Sequence, residues 1–279
     1  MPNQYDLTGR VALVTGAGSV KTDPVHGRLE GIGSAVAHAL ARSGCNLALT
    51  FNRSKDGAEA LRSELLARHP HARIALFHYD AAQYMQTSTA LVQQVLADFG
   101  AIDILVNNLG TTFIQPDEIP HHEPPAAAED LMRVNFLGPY ELTKRVLESM
   151  LAQNRPGVAF LVSSCSVEMP HAKRPAYAAT KRALSGLARE FATFYGPHGI
   201  RLIDLQLGVF ETPMTAPRLK VYREAAAKGA IPLARLGHPA ELGELVAFLS
   251  TDACGYLTGI SIPVDGGITI KSFDHLTLE

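Results

Sequence analysis

The chain has 279 residues, 47% of them hydrophobic and 19% charged, a balance that supplies a large buried core and excludes a disordered chain. The formal net charge is −2 with no block of Lys or Arg, so nucleic acid and anionic membrane surfaces are not expected partners. No apolar run approaches the ~18 residues of a membrane span, and residues 1–7 are polar where a signal region would be apolar. Cys45, Cys165 and Cys254 are scattered, without disulfide or zinc spacing, as expected for a soluble cytoplasmic protein.

Short β-branched or apolar runs at 10–15, 46–51, 73–78, 103–107, 158–163, 200–206 and 260–264 read as strands. Several, such as Val11-Ala12-Leu13-Val14 and Ile104-Leu105-Val106, are apolar on both faces, as strands covered by helices on each side must be. Helical patterns fall between them at 32–42, 55–68, 85–99, 126–151, 176–195 and 239–250. This alternation predicts a single α/β domain over 1–279, a doubly wound parallel sheet of about seven strands with helices on both faces.

Two stretches are hostile to regular structure. Residues 111–125 hold Pro116, Pro120, Pro124 and Pro125 around His121-His122, and 208–236 hold Pro213, Pro217 and Pro232 around a short helical patch. Both follow strands at the carboxyl edge of the sheet, where such sheets take ligands, so both predict binding loops, the second a substrate loop. Phe113, Ile114, Met214 and Leu219, with Met169, His171 and Arg174, predict a partly apolar pocket. The paired histidines and His69 and His71 lack the spacing of converging metal ligands, and no metal is expected.

At the first strand, Thr15-Gly16-Ala17-Gly18-Ser19 follows the strand and Gly31-Ile32-Gly33 opens the first helix. Glycines are needed where the chain turns sharply and a pyrophosphate must approach bare backbone N–H groups. Residues 20–30 separate the two halves, and Gly27, Gly31 and Gly33 satisfy the spacing by themselves; Gly16, at the strand end, is favoured as the first glycine. The insertion is either a solvated surface loop, cheap for the fold, or a cover that lays Lys21, His26 or Arg28 over the phosphates. After the second strand, Phe51 stands where an acidic residue would hold a ribose 2′-OH, and Asn52, Arg53, Ser54 and Lys55 follow. Cations suit a 2′-phosphate, so NADP(H) is the expected cofactor.

Tyr177 and Lys181 lie four residues apart on a predicted helix, hence on one face. A tyrosine of pKa about 10 exchanges protons poorly near neutrality, and a neighbouring lysine cation lowers it. Ser164 ends the preceding strand thirteen residues earlier, and Asn135 interrupts a long helix where its polar side chain has no structural reason to be.

Together these residues resemble the short-chain dehydrogenase/reductase family, whose Thr-Gly-x-x-x-Gly-x-Gly signature is matched apart from the insertion. The resemblance implies a Rossmann-type fold and covers nearly the whole chain. It makes Tyr177 the acid/base, Ser164 the residue that holds the carbonyl oxygen, Lys181 the ribose ligand and Asn135 a member of the proton relay. It also implies cofactor contacts from Gly16, Ser19, Gly31, Ile32, Asn52, Arg53, Ser54, Asp80, Asn108, Gly110, Gly208 and Thr212. Asp80 matches the residue facing adenine, Asn107-Asn108-Leu109-Gly110 an element that braces the sheet, and Thr212 a nicotinamide contact. Leu109 and Leu207 replace the alanine and proline usual there. The implied activity is reduction of a ketone or aldehyde with NADPH, or the reverse, in a homotetramer or homodimer built on the helices at 126–151 and 176–195. The interrupted glycine loop leaves open a member with non-redox chemistry, such as a cyclase, isomerase or dehydratase.

Overall fold

A computed structural model describes residues 5–112, 124–170 and 173–270. Phe113, Ile114, Pro116, Pro120, His121, His122 and His171 lie outside them. The elements run β1 (Val11–Val14), β2 (Val20–Asp23), β3 (Gly27–Glu30), α1 (Ile32–Arg42), β4 (Asn46–Phe51), α2 (Lys55–Arg68), β5 (Ile74–His78) and α3 (Tyr84–Phe99). They continue with β6 (Ile104–Asn107), α4 (Pro125–Met132), α5 (Gly138–Ala152), β7 (Gly157–Val162), α6 (Pro175–Tyr195), β8 (Ile200–Leu207), α7 (Leu219–Ala225), α8 (Pro239–Leu249) and β9 (Ile260–Val264).

Seven strands form one sheet in the order β5-β4-β1-β6-β7-β8-β9, every pairing parallel. This is the Rossmann-type order, and it reverses between β1 and β6, the switch point at which such sheets bind dinucleotides. The two faces follow from the period of two along each strand. Ala12, Val14, Leu47, Leu49, Ile104 and Val106 point to a core completed by Val36 and Leu40 of α1, Leu61 of α2 and Val246 of α8. Leu13, Ala48 and Leu105 point the other way, onto Leu91 of α3, Val146 of α5 and Leu184 of α6.

Two expectations need correction. Residues 126–151 are not one uniform helix: Arg133–Leu137 forms a π-helical turn between α4 and α5. Pro139 has no N–H to give the carbonyl of Asn135 four residues back, and a widened turn accommodates that missing bond. The insertion at 20–30 is not a loop. It is an antiparallel hairpin with Val20 opposite Glu30 and Asp23 opposite Gly27. Asp23 closes its turn by accepting from the backbone N–H of Val25 and His26 at 2.9 and 3.0 Å, and Gly27 takes the left-handed φ of 73° that the turn requires.

Candidate active site

The glycine cradle survives the insertion because the hairpin enters and leaves at one point. The Gly31 N–H donates to the Ser19 carbonyl at 2.7 Å, so Gly16, Ser19, Gly31 and Ile32 form a continuous turn at the start of α1. Gly16 has φ of 67° and its N–H donates to Thr50 Oγ1 at 3.2 Å. Gly27, the other candidate first glycine, belongs to the hairpin tip. A Cβ on Gly31 would lie 2.7 Å from the Ser19 carbonyl oxygen, and one on Gly33 equally close to Gly16 O and Asn108 Nδ2. The cradle tolerates no side chain at either position, and the first N–H groups of α1 have no acceptor within the helix. That is the donor set a pyrophosphate needs, so the residues fit a dinucleotide.

The loop after β6 holds this turn in place. Thr15 Oγ1 accepts from the N–H groups of Asn108 and Leu109, both at 3.0 Å, and Asn108 Nδ2 donates to the Thr15 carbonyl at 2.9 Å. At the end of β4, Ser54 Oγ donates to the Gly18 carbonyl at 3.1 Å, seating the 52–54 turn against the cradle. Asn52 and Arg53 are exposed, and Arg53 forms no ion pair among the described residues. The carboxylate of Asp80 caps the turn that follows it, accepting from Ala82 N at 3.0 Å and Gln83 Nε2 at 3.3 Å. Gly208, at the end of β8, packs so tightly on Asp265 that a Cβ would sit 2.6 Å from its Cα. Buried Thr212 follows, its N–H donating to Thr215 Oγ1 at 3.0 Å.

The four expected catalytic residues meet at the same edge of the sheet. Ser164 caps the short turn after β7, its Oγ accepting from the Ser166 N–H and bonding Ser166 Oγ, both at 3.1 Å. Pro175 begins α6 where its missing N–H costs nothing, which places Tyr177 in the first turn and Lys181 in the second. Lys181 is 4% exposed; its Nζ donates to the Val162 carbonyl at 2.9 Å and lies 5.9 Å from the Tyr177 ring centre. Asn135, in the π turn, accepts from Thr111 N at 2.8 Å through Oδ1 and donates to Thr111 O at 2.9 Å through Nδ2. Gly110 ties the group together: a Cβ there would be 3.3 Å from Lys181 Nζ and 3.4 Å from Asn135 Oδ1.

The charges are arranged differently from the sequence expectation. Burial raises the Tyr177 pKa, opposed by a hydrogen bond with Ser164 and by the charge of Arg174. The Arg174 guanidinium lies 5.7 Å from the ring centre. Lys181 is not among these influences; burial drops its own pKa to about 8, with the Asp204 carboxylate resisting. Arg174 as the cation acting on Tyr177, and Ser166 as the residue orienting Ser164, were not singled out for these roles in the sequence. A Ser-x-Ser pair at a strand end was the available signal for the second. Leu219, expected in the pocket, is buried elsewhere, and Met214 is exposed. No group of three or more His, Cys, Asp or Glu among the described residues could hold a metal ion.

Comparison with known proteins agrees with this architecture. A family profile described as enoyl-(acyl carrier protein) reductase matches residues 27–269, beginning inside the hairpin. The oxidoreductase UcpA of Escherichia coli K12 is 33% identical over 280 aligned positions, covering 95% of this chain and 96% of that protein. D-threitol dehydrogenase of Mycolicibacterium smegmatis is 30% identical, covering 96% and 95%. The crystal structure of a 3-oxoacyl-[acyl-carrier protein] reductase from Brucella melitensis, in complex with NAD, superposes with a TM-score of 0.83 at 31% identity, covering 95% and 98%.

Proposed function

The chain belongs to the short-chain dehydrogenase/reductase family of oxidoreductases, and from that premise we propose that it interconverts a ketone or aldehyde and its alcohol with NADP(H). The observation that carries this reading is the meeting of Ser164, Tyr177, Lys181 and Asn135 beside the glycine cradle at the carboxyl edge of one parallel sheet.

Each residue then has one task. Ser164, its Oγ steadied by the Ser166 N–H, donates to the substrate carbonyl oxygen. Tyr177 gives its phenolic proton to the same oxygen as negative charge develops there. Lys181 holds the ribose, and Arg174 is the cation whose charge, with the Ser164 hydrogen bond, opposes the burial that raises the Tyr177 pKa. Asn135 fixes the Thr111 backbone, and with it the wall of the site through which the proton is restored. The nicotinamide, when bound, supplies or accepts the hydride. Arg53, exposed and without a carboxylate partner among the described residues, supports a 2′-phosphate, hence NADP(H) over NAD(H).

We take residues 1–279 as one domain, since both cores share the same sheet. No helix among the described residues is long and apolar enough to cross a membrane, and we place the protein in the cytoplasm. We propose a homodimer or homotetramer assembled on helices α4, α5 and α6, the last of which carries Phe194, 62% exposed.

The test combines two measurements. Wild type is expected to bind NADPH more tightly than NADH, read by nicotinamide fluorescence against a protein that contains no Trp, and to turn over members of a ketone panel. Tyr177→Phe is expected to keep NADPH affinity and lose turnover by at least ~100-fold. Turnover near wild type in that variant removes Tyr177 from the mechanism; failure of wild type to bind either cofactor removes the redox reading.

A further inference from the structure

The hairpin at 20–30 has two differently occupied faces. Alternation along β3 sends Arg28 and Glu30 to one side and Leu29 to the other. On the first side Arg28 pairs with Glu64 of α2 at 2.6 Å. Glu30 accepts from Ser34 Oγ at 2.7 Å and lies 3.5 Å from His38 Nε2. These contacts fasten the hairpin to the helices on the adenosine half of the cleft. Arg28 is therefore engaged by α2, not laid over the cradle.

On the second side Leu29 is 5% exposed, although it belongs to an excursion of the cofactor loop. It is buried among Ala216, Leu219, Ala226, Ile231 and Leu236, all from the 208–236 segment expected to be the substrate loop. Among these buried neighbours, Leu29 alone comes from outside that segment. The same loop is braced within itself: Arg223 of α7 pairs bidentately with Glu211 at 2.8 and 2.9 Å.

We propose that the hairpin straps the substrate loop to the cofactor cradle, and that Leu29 is the positioning residue through which it acts. The strap rests on the reading of the cleft as a dinucleotide site. Its neck, the Gly31–Ser19 hydrogen bond, is the same turn that faces the pyrophosphate. A displacement of the substrate loop is thus transmitted to the phosphate cradle, and an ordered cradle holds the loop closed. Substrate-loop closure is preset in this chain by its own insertion instead of being left to the loop alone, and cofactor release requires the strap to lift.

Limited trypsinolysis and NADPH release test this on the intact chain. Lys220, whose side chain is 85% exposed, and Lys228 are cleavage sites on the substrate loop; Lys55, on α2, is an internal control. Leu29→Ala is expected to raise cleavage at Lys220 and Lys228 about tenfold, with cleavage at Lys55 unchanged, and to speed NADPH release by a similar factor (a factor of 10 corresponds to 1.4 kcal/mol). Leu29→Met is expected to restore both. A second variant joins Ser19 directly to Gly31, which the 2.7 Å neck permits; it is expected to behave like Leu29→Ala or more strongly, and covers the case in which Leu29→Ala does not fold. Unchanged loop cleavage in both variants overturns the strap. So does faster cleavage that Leu29→Met fails to rescue, or that spreads equally to Lys55. If wild type binds no NADPH, the cofactor reading fails, while the cleavage arm still decides whether the hairpin holds the loop.

Discussion

Lys181 carries a charge the fold would be more stable without, and replacing it by methionine separates stability from activity. Burial drops its pKa from the ordinary 10.5 to about 8. Below pH 8 the folded chain holds a desolvated ammonium, whereas the unfolded chain keeps that proton up to 10.5. The gap of roughly 2.5 pKa units, at 1.36 kcal/mol each, opposes folding by about 3 kcal/mol at pH 7. Lys181→Met removes that cost but leaves the Val162 carbonyl without its donor at 2.9 Å, a loss of about 1–2 kcal/mol. The variant is therefore expected to be more stable by about 1–2 kcal/mol at pH 7, or roughly 2–6 °C in melting temperature for a chain of this size. The sign of the pH dependence follows. Stability of wild type rises as pH climbs from about 8 to 10.5, because the folded lysine sheds its proton first. The advantage of the variant shrinks over that window and reverses above it, where the neutral amine still donates its hydrogen bond. Thermal denaturation of both proteins without ligand at pH 7 and pH 10, followed by circular dichroism, measures the difference. A variant less stable than wild type at pH 7, or a difference that does not move with pH, refutes the reasoning. Turnover is expected to fall by at least ~100-fold in the same variant.

Arg53→Ala is expected to weaken NADPH binding about tenfold or more, the worth of one charge-assisted hydrogen bond, and to leave NADH binding unchanged; equal losses for both cofactors would take Arg53 out of the 2′-phosphate site. Gly33→Ala places a Cβ 2.7 Å from both Gly16 O and Asn108 Nδ2, so a loss of about 1–3 kcal/mol in stability is expected, together with weaker NADPH binding by titration; unchanged affinity would mean the cradle is not where the pyrophosphate sits. Burial pushes the Cys45 thiol up to about 12, so at pH 8 only about one molecule in 10,000 holds a thiolate there. Iodoacetamide, followed by mass spectrometry, is expected to label Cys165 ahead of Cys45 in the folded protein and both alike in denaturant.

The sheet was legible because its central strands, covered on both faces, leave short apolar runs such as Val11–Val14, and each of the seven expected runs became a strand of the sheet. The helix over 126–151 was read as continuous because its apolar spacing runs through the π turn; Pro139 was the local sign that the ladder must widen. The hairpin was hidden for a different reason. Only one residue of β3, Leu29, is buried, and a single apolar position carries no period. Tyr177, Lys181 and Ser164 were legible from spacing within one strand–helix unit. The arrangement of charge around Tyr177 was not, since it depends on how Arg174, just before α6, folds back over the ring and on where the Lys181 side chain finds its acceptor. Leu219 was placed in the pocket because an apolar residue in a binding loop has two destinations, ligand or core, and its partner Leu29 lies far away in sequence.

One short segment joins the two halves of the site. Asn108 and Leu109 bond to Thr15 at the start of the glycine turn, and Gly110 abuts both Lys181 and Asn135. Thr111 is held through both its backbone polar groups by the Asn135 side chain. The cradle and the cluster of Lys181 and Asn135 are therefore not independent constructions that happen to be close. They are tied to opposite ends of the chain segment leaving β6, at the point where the strand order reverses. The π turn belongs to the same device: by widening the helix at Asn135 it buries a polar side chain whose donor and acceptor match one peptide pair of that segment. An apolar residue at 135 would strand the Thr111 N–H and carbonyl without partners at the edge of the site, and the disturbance would reach the cradle through Gly110 and Asn108 before it reached the core.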